Sequence, residues 1–322
     1  MNHSKTPAMS NETKPYAIGI DMGGTNTDIG LVDRDGHCLA RKNLPMGRYT
    51  EIGAYVADVA AAIHQLVADR NLTFSEIAGA GIGAPNGNFF TGCIEHASNL
   101  AFTGVVPLAK LLGEQLPVPV ALTNDANAAA LGEKVYGGAR NMNDFIVITL
   151  GTGVGSGIFA DGKLVYGHDG FGGEVGHTIL HPGGRLCTCG RKGCLEEYAS
   201  ARGIIQNYRE VCEENRREAY IEADCRWLTE AANKGDMMAI RAWEVTAWHL
   251  GIGIANAATT LAPEAIFLMG GILNAGRWLI DPLRAIFNEH LLCMQRDKIA
   301  ILPTQLNAND AAILGAAALV QL

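Results

Sequence analysis

Positive charge is in short supply in this chain. Over 322 residues, Lys and Arg total 25 against 33 Asp and Glu, a formal charge of −8. That deficit argues against nucleic acid or an anionic membrane as partner, since either needs a broad basic surface. Long apolar runs are missing too: no window holds 18 consecutive apolar residues, so a transmembrane helix is not expected. The N-terminal MNHSKTPAMSNETK is polar, with no apolar segment after its Lys, and so is not a secretory signal; residues 1–15 are expected to form a disordered tail. There is no Gly-x-Ser-x-Gly nucleophile elbow and no His-Glu-x-x-His metal helix. Two near-matches to nucleotide motifs fail on context. Gly157-x4-Gly162-Lys163 is followed by Leu164 where a P-loop needs Ser or Thr. Gly79-x-Gly81-x-x-Ala84 runs into Pro85-Asn86-Gly87, which blocks the helix that would receive a pyrophosphate.

What is present reads as an ordinary globular protein, 48% hydrophobic and 18% charged, of a length that suggests two domains. Glycine is abundant: 39 residues, about 12% against a usual ~7%. The glycines have no collagen period and cluster in short runs, which predicts turns and ligand loops. Eight cysteines in a chain long enough to bury its own core need no disulfide staple and suit a cytoplasmic protein. Five of them (Cys38, Cys93, Cys212, Cys225, Cys293) are scattered and read as ordinary thiols. Cys187, Cys189 and Cys194 fall within eight residues and need their own explanation.

Residues 16–21, YAIGID, predict a strand; the glycine turn MGGT, a strand at Asp28–Val32 and a turn at Asp33–Gly36 complete a hairpin. A helical period spans 51–69. Strands are predicted at 77–84 and 118–123, the second running into Asn124-Asp125 and an alanine-rich helix at 126–136. The cycle then repeats. FIVITL at 145–150, the glycine turn GTGVGSG and a strand at Ile158–Ala160 copy the order of residues 17–36, which predicts two related α/β halves facing each other. Helices are expected at 196–218 and 236–260, a strand at 265–269 ending in Gly270-Gly271, and a last helix at 309–321 capped by Asn309-Asp310. The first domain is predicted to cover 16–140 together with helix 309–322, which crosses back to it. The second covers 141–308.

Asp21-Met22-Gly23-Gly24-Thr25 follows a strand directly. Consecutive backbone N–H groups at such a turn form an anion-binding nest, and an acid beside it suits Mg²⁺ held through water. One copy alone would equally be a plain hairpin turn. A second, Gly151-Thr152-Gly153-x-Gly155, turns the pair into a clamp for one nucleotide. The stretch Glu174-Val-Gly-His177 followed by Cys187-x-Cys189-Gly-x-x-Gly-Cys194-x-Glu196 supplies three thiolates and one imidazole. Cys₃His is a closed four-coordinate zinc set, structural rather than water-activating. It would draw Glu174, His177 and Glu196 together, and two carboxylates with an imidazole N–H suit a polyhydroxylated ligand.

Taken together, Asp21-x-Gly23-Gly24-Thr25, Leu150-Gly151-Thr152-Gly153-x-Gly155, Glu174-x-Gly176-His177 with the cysteine run, and Gly270-Gly271 resemble the ROK family of bacterial sugar kinases over roughly 16–322. The resemblance implies an α/β, two-domain actin-like ATPase (ribonuclease H-like) fold. It implies ATP and Mg²⁺ with a structural Zn²⁺, a cytoplasmic homodimer, and phosphorylation of a hexose at its 6-hydroxyl. Within the family the pattern is most like glucokinases, with N-acetylmannosamine kinases the alternative. Asn124-Asp125-x-Asn127-Ala128 matches the catalytic segment, so Asp125 becomes the general base; read alone, Asp125 could equally be a helix N-cap. Asn99, Asn124, Asp125, Glu174, His177 and Glu196 match sugar-contacting positions. Gly270-Gly271 match an adenosine motif. Asn26 stands where many members have Lys, and Pro85-Asn86-Gly87 where many have Pro-Gly. Two other classes compete. A sugar-responsive transcriptional regulator would carry a helix-turn-helix ahead of the first phosphate strand, where about 15 non-basic residues stand. An actin-like or chaperone-like ATPase would have no use for the zinc cluster and its acids.

Overall fold

The computed structural model describes residues 14–97, 100 and 102–321. Most of the expected N-terminal tail, and Asn99, lie outside the described residues. Tyr16–Met22 forms β1, whose run Ala17–Ile20 is buried, as a strand covered on both faces requires. It turns at Gly23 into antiparallel β2 (Asn26–Asp33), which pairs with β3 (Cys38–Pro45). Helix α1 (Ile52–Asp69) leads to β4 (Ile77–Ala84), parallel to β1. A small sheet of β5 (Gly87–Asn88), β6 (Cys93–Glu95) and β7 (Val105–Val106) follows, then α2 (Leu108–Gly113). Strand β8 (Val120–Asn124) lies parallel to β4 and runs straight into α3 (Asp125–Val135). The first sheet has the order β3-β2-β1-β4-β8.

The second sheet repeats that order. Strands β9 (Phe145–Leu150), β10 (Val154–Ala160) and β11 (Lys163–Leu164) are antiparallel neighbours. After helices α4 (Glu196–Ala199), α5 (Ala201–Glu214), α6 (Cys225–Asn233) and α7 (Met237–Leu261), β12 (Ala265–Met269) joins β9 in parallel. Helix α8 (Arg277–His290) then leads to β13 (Ala300–Pro303), parallel to β12, and the chain ends in α9 (Ala311–Ala318). The order β11-β10-β9-β12-β13 has the same pairing senses as the first sheet.

Several elements differ from the expectations. Strand β10 starts at Val154, not Ile158, so the second glycine turn is shorter and Gly155 and Gly157 lie in a strand. The helix expected over 196–218 breaks at Ser200, whose backbone is extended and whose Oγ accepts from the Gly203 N–H. That break frees the Ala201 N–H to bond the Gly151 carbonyl at 2.9 Å. Asp310 stands at the N-cap of the last helix, but its side chain makes no cap hydrogen bond; its carboxylate pairs with Arg41 instead. Strand β3, the small sheet, α6, α8 with Pro282 inside it, and β13 carry no signal that the periodicity singled out.

Each sheet has its own core, around Ile18, Ile63 and Ile82 in the first and around Ile148, Trp243 and Leu268 in the second. A third cluster joins them: Ala130 and Leu131 of α3 with Phe145 of β9, Phe267 of β12 and Leu314 of α9. Here much of the glycine excess is used for close packing rather than for turns. Helix α9 lies on β1 and β4 so tightly that a Cβ at Gly19 would stand 2.0 Å from the Ile313 carbonyl oxygen, and one at Gly81 1.9 Å from that of Ala316. Gly157 likewise lets α3 approach β10, where a Cβ would meet the Ala126 carbonyl oxygen at 2.5 Å.

Candidate active site

The junction of β8 and α3 is settled by hydrogen bonding. Asn124 is the N-cap: its Oδ1 accepts from the Asn127 N–H at 2.7 Å, which satisfies one of the free donors of the first helical turn. Asp125 is therefore not the cap. Its Oδ1 accepts from the Ala126 N–H at 2.8 Å, and no side chain among the described residues hydrogen-bonds its carboxylate. Asp125 is accessible to solvent but hemmed in by protein, and burial raises its pKa against the opposing effect of those backbone N–H groups.

Asp21, on β1, stands directly opposite Asp28 on β2. Two like charges on one sheet face repel. Burial first, then the charges of Asp125 and Asp28, push the Asp21 carboxyl up to about 6. The Glu174 carboxyl is raised by burial, partly offset by His177, and raised again by Asp125 and Glu196. Acids from the first hairpin, the α3 start and the loop before His177 thus share one electrostatic neighbourhood. Such a group of carboxylates is relieved by a cation. Asp28, which sequence motifs did not single out, is part of it.

The first glycine turn is tight, with the Gly23 N–H donating to the Asn26 carbonyl at 2.9 Å, and leaves Gly24 and Thr25 exposed. In the second, the Gly151 N–H donates to the Gly153 carbonyl at 3.0 Å, and Thr152 is exposed. Gly155 lies outside that turn, within β10 opposite Thr149. Gly270 has φ +117°, and a Cβ there would strike the Leu150 carbonyl oxygen at 2.1 Å, so the end of β12 sits against the start of the Gly151 turn. Gly271 and Gly151 are different. A Cβ at either would meet nothing within 4 Å, and neither has positive φ. Packing requires glycine at neither place, whereas the close approach of a ligand would. Gly271 also edges a cavity of about 640 Å³ whose polar lining includes Asp224, Arg226, Thr229 and Asn274. No motif announced that cavity, because α6 and the turn after β12 are far apart in sequence.

The ligand atoms of His177, Cys187, Cys189 and Cys194 all lie within 4.8 Å of one another. Cys187 Sγ is 3.7 Å from His177 Nδ1, and Cys189 Sγ is 3.6 Å from Cys194 Sγ. Such spacings suit donors placed around one small tetrahedral ion with bonds of about 2.0–2.3 Å. Backbone hydrogen bonds fix the loop that presents them, among them Cys187 N–H to the Arg191 carbonyl at 2.8 Å and Leu180 N–H to the Gly193 carbonyl at 2.7 Å. Glu196 is half-buried. Its Oε2 accepts from the Val154 N–H at 3.0 Å and its Oε1 lies 3.8 Å from Cys187 Sγ, so this acid ties the thiol cluster to the second glycine turn. Arg202, at the start of α5, pairs with Glu197 and stands 3.8 Å from Glu196.

The arrangement is that of the α/β ROK kinase fold. The ROK family model matches residues 17–322, and the chain belongs to the ROK family. A glucokinase of Halalkalibacterium halodurans is 34% identical over 319 residues, covering 95% of each chain. The ROK hexokinase from Thermus thermophilus superposes with a TM-score of 0.81 at 30% identity, over 94% of this chain and 97% of its own. A ROK family glucokinase from Streptomyces griseus, solved in complex with glucose and AMPPNP, has a TM-score of 0.77 at 30% identity, over 94% and 98%.

Proposed function

We propose that this chain phosphorylates a hexose at its 6-hydroxyl with ATP, and that glucose is the preferred acceptor. The observation that carries this reading is Asp125. It is a carboxylate whose Oδ1 accepts from a backbone N–H, with no side-chain partner among the described residues, set in the electrostatic neighbourhood of Asp21 and Glu174. A sugar hydroxyl is a weak nucleophile, and Asp125 would take its proton as the oxygen attacks the γ-phosphorus. Asn124, with Oδ1 committed to the cap, offers its amide N–H to the sugar. Glu174 and Glu196 offer acceptors. Asn99 is assigned to the same site from the family resemblance.

The nucleotide is assigned to the two glycine turns, with its phosphates at Gly23, Gly24, Thr25, Gly151, Thr152 and Gly153 and its adenosine at Gly270-Gly271 and the adjoining cavity. Gly155, in β10, serves this site by letting the strand pass close to Ala126. Asp21, with Asp28 opposite, would hold Mg²⁺, which supplies positive charge to the transferring phosphoryl group. His177, Cys187, Cys189 and Cys194 would hold a structural Zn²⁺. With His177 Nδ1 on the thiol side, Nε2 is left to face the sugar. We further assign 16–140 with the C-terminal helix to one domain of an actin-like pair and 141–308 to the other, supported by the repeated strand order. Among the described residues no helix is long and apolar enough to cross a membrane. A cytoplasmic homodimer completes the reading, and light scattering on the purified protein tests the dimer.

The deciding experiment is ADP release over a panel of glucose, mannose, fructose and the N-acetylhexosamines. Glucose should give the highest kcat/KM. A ratio favouring N-acetylmannosamine would replace the glucose assignment, and no sugar-dependent ADP release would remove the kinase reading.

Gly271→Leu tests the nucleotide site separately. The backbone there does not have positive φ and an added Cβ meets nothing within 4 Å among the described residues, so the melting temperature should hold. The new side chain would enter the cavity, and the KM for ATP should rise by about tenfold or more, while the KM for sugar is little changed. Equal KM values for ATP in variant and wild type would place adenosine elsewhere.

A further inference from the structure

We propose that Asn88, Phe89 and Tyr166 form a clasp that holds the loop bearing Glu174 against the half of the chain that carries Asp125, which makes them positioning residues for the acceptor sugar. The proposal rests on Glu174 being a sugar contact. The loop from Tyr166 to Glu174 contains Gly167, Gly170, Gly172 and Gly173, and three of these have positive φ. A segment so rich in glycine loses much entropy on ordering and needs ties. One comes from its own half: Ser156 Oγ donates to the Gly173 carbonyl and accepts from the Val175 N–H at 3.0 Å.

The other ties come from the opposite half. Asn88, only 3% exposed, donates from Nδ2 to the Asp169 carbonyl at 2.8 Å, while its Oδ1 accepts from the Phe90 N–H at 3.0 Å. Gly170 lies flush against it, since a Cβ there would come within 2.4 Å of Asn88 Oδ1. Phe89 stacks on Tyr166 with centroids 4.2 Å apart and planes 11° from parallel. Tyr166 lies beside Thr123, whose buried Oγ1 has no hydrogen bond of good geometry among the described residues, and Thr123 is two residues from Asp125. The clasp therefore spans from the strand that ends at the base to the loop that ends at Glu174. A shift of about 1 Å between such groups can cost a factor of ~10² in rate or affinity.

The test uses the full chain. Amide hydrogen exchange over 166–174 without ligand reads the docking, and steady-state kinetics with glucose and ATP reads its consequence. Phe89→Ala should speed exchange in that segment and raise the KM for glucose by about tenfold, with the KM for ATP and the melting temperature near wild type. Asn88→Ala should act in the same direction. Phe89→Tyr, which keeps the stack, should restore both readouts. The Phe89→Ala/Tyr166→Ala double variant should be no worse than Tyr166→Ala alone, as expected when the Phe89 effect runs through its stack on Tyr166. Unchanged exchange in Phe89→Ala and Asn88→Ala would overturn the clasp. Faster exchange with an unaltered KM for glucose would overturn its role in sugar binding. Parallel rises in both KM values would reduce the effect to general destabilisation and overturn the proposal as well.

Discussion

Asp125→Asn is expected to lower kcat by at least ~10²-fold, the lower end for loss of a general base, with a much smaller change in the KM for sugar. The melting temperature should stay near wild type. The helix cap is supplied by Asn124, so it survives the substitution, and the new amide oxygen can still accept from the Ala126 N–H. Steady-state kinetics with a thermal melt checks all three, and a kcat within a few-fold of wild type would defeat the assignment. The pH profile gives a second check. Burial raises the Asp125 pKa, so the acid limb of kcat/KM should lie above the ordinary carboxylate range of about 4. The sign for stability is opposite. A carboxyl whose folded pKa is raised favours the fold at low pH, and that contribution is lost as pH rises through the folded pKa. For Asp21 the window runs from the ordinary 3.8 to about 6. The ligand-free protein should therefore give up stability over the interval in which the site becomes ionised and competent.

Purified protein should carry one Zn²⁺ per chain, and Cys189→Ser should lose it. Removing one of four ligands from a closed set opens the loop that carries His177 and sets Glu196 against the second glycine turn. Disturbing even a partner of a metal ligand typically costs 10–100-fold, so deleting a ligand should lower kcat/KM for sugar by ~10²-fold or more. Elemental analysis with kinetics measures both, and Cys293→Ser, an exposed cysteine outside the cluster, is the control that should retain metal and activity. Wild-type protein free of zinc, or a Cys189→Ser variant with normal sugar kinetics, would remove the structural metal from the account.

Much of the plan was legible because it rests on local rules. FIVITL is an unbroken apolar run between turn signals, and β9 spans those six residues. The period of residues 51–69 produced α1 within one residue. The repeat of strand, glycine turn and strand appears as two sheets with one strand order. Weaker signals failed where tertiary contacts outvote them. Residues 196–218 have helical composition, but Ser200 breaks the run so that the start of α5 can reach Gly151. Gly19, Gly30 and Gly81 fall in strands, as expected, but nothing in the sequence shows that their missing side chains clear a seat for α9.

The sequence by itself determined which side chains can serve as ligands. Cysteine spacing and the paired glycine turns single out the donor set and the turns that we assign to a metal and to phosphates, because those chemistries need particular atoms at short separations along the chain. Only the tertiary structure decided how the parts serve each other. It made Asn124 the cap and left the Asp125 carboxylate without a side-chain partner among the described residues, set Asp28 opposite Asp21, turned Glu196 toward Val154, and docked the Glu174 loop on Asn88 and Phe89. The physical reason is that side-chain roles follow from which hydrogen-bond and charge partners arrive from distant segments. Those arrivals depend on how helix and sheet surfaces pack, not on any spacing along the chain.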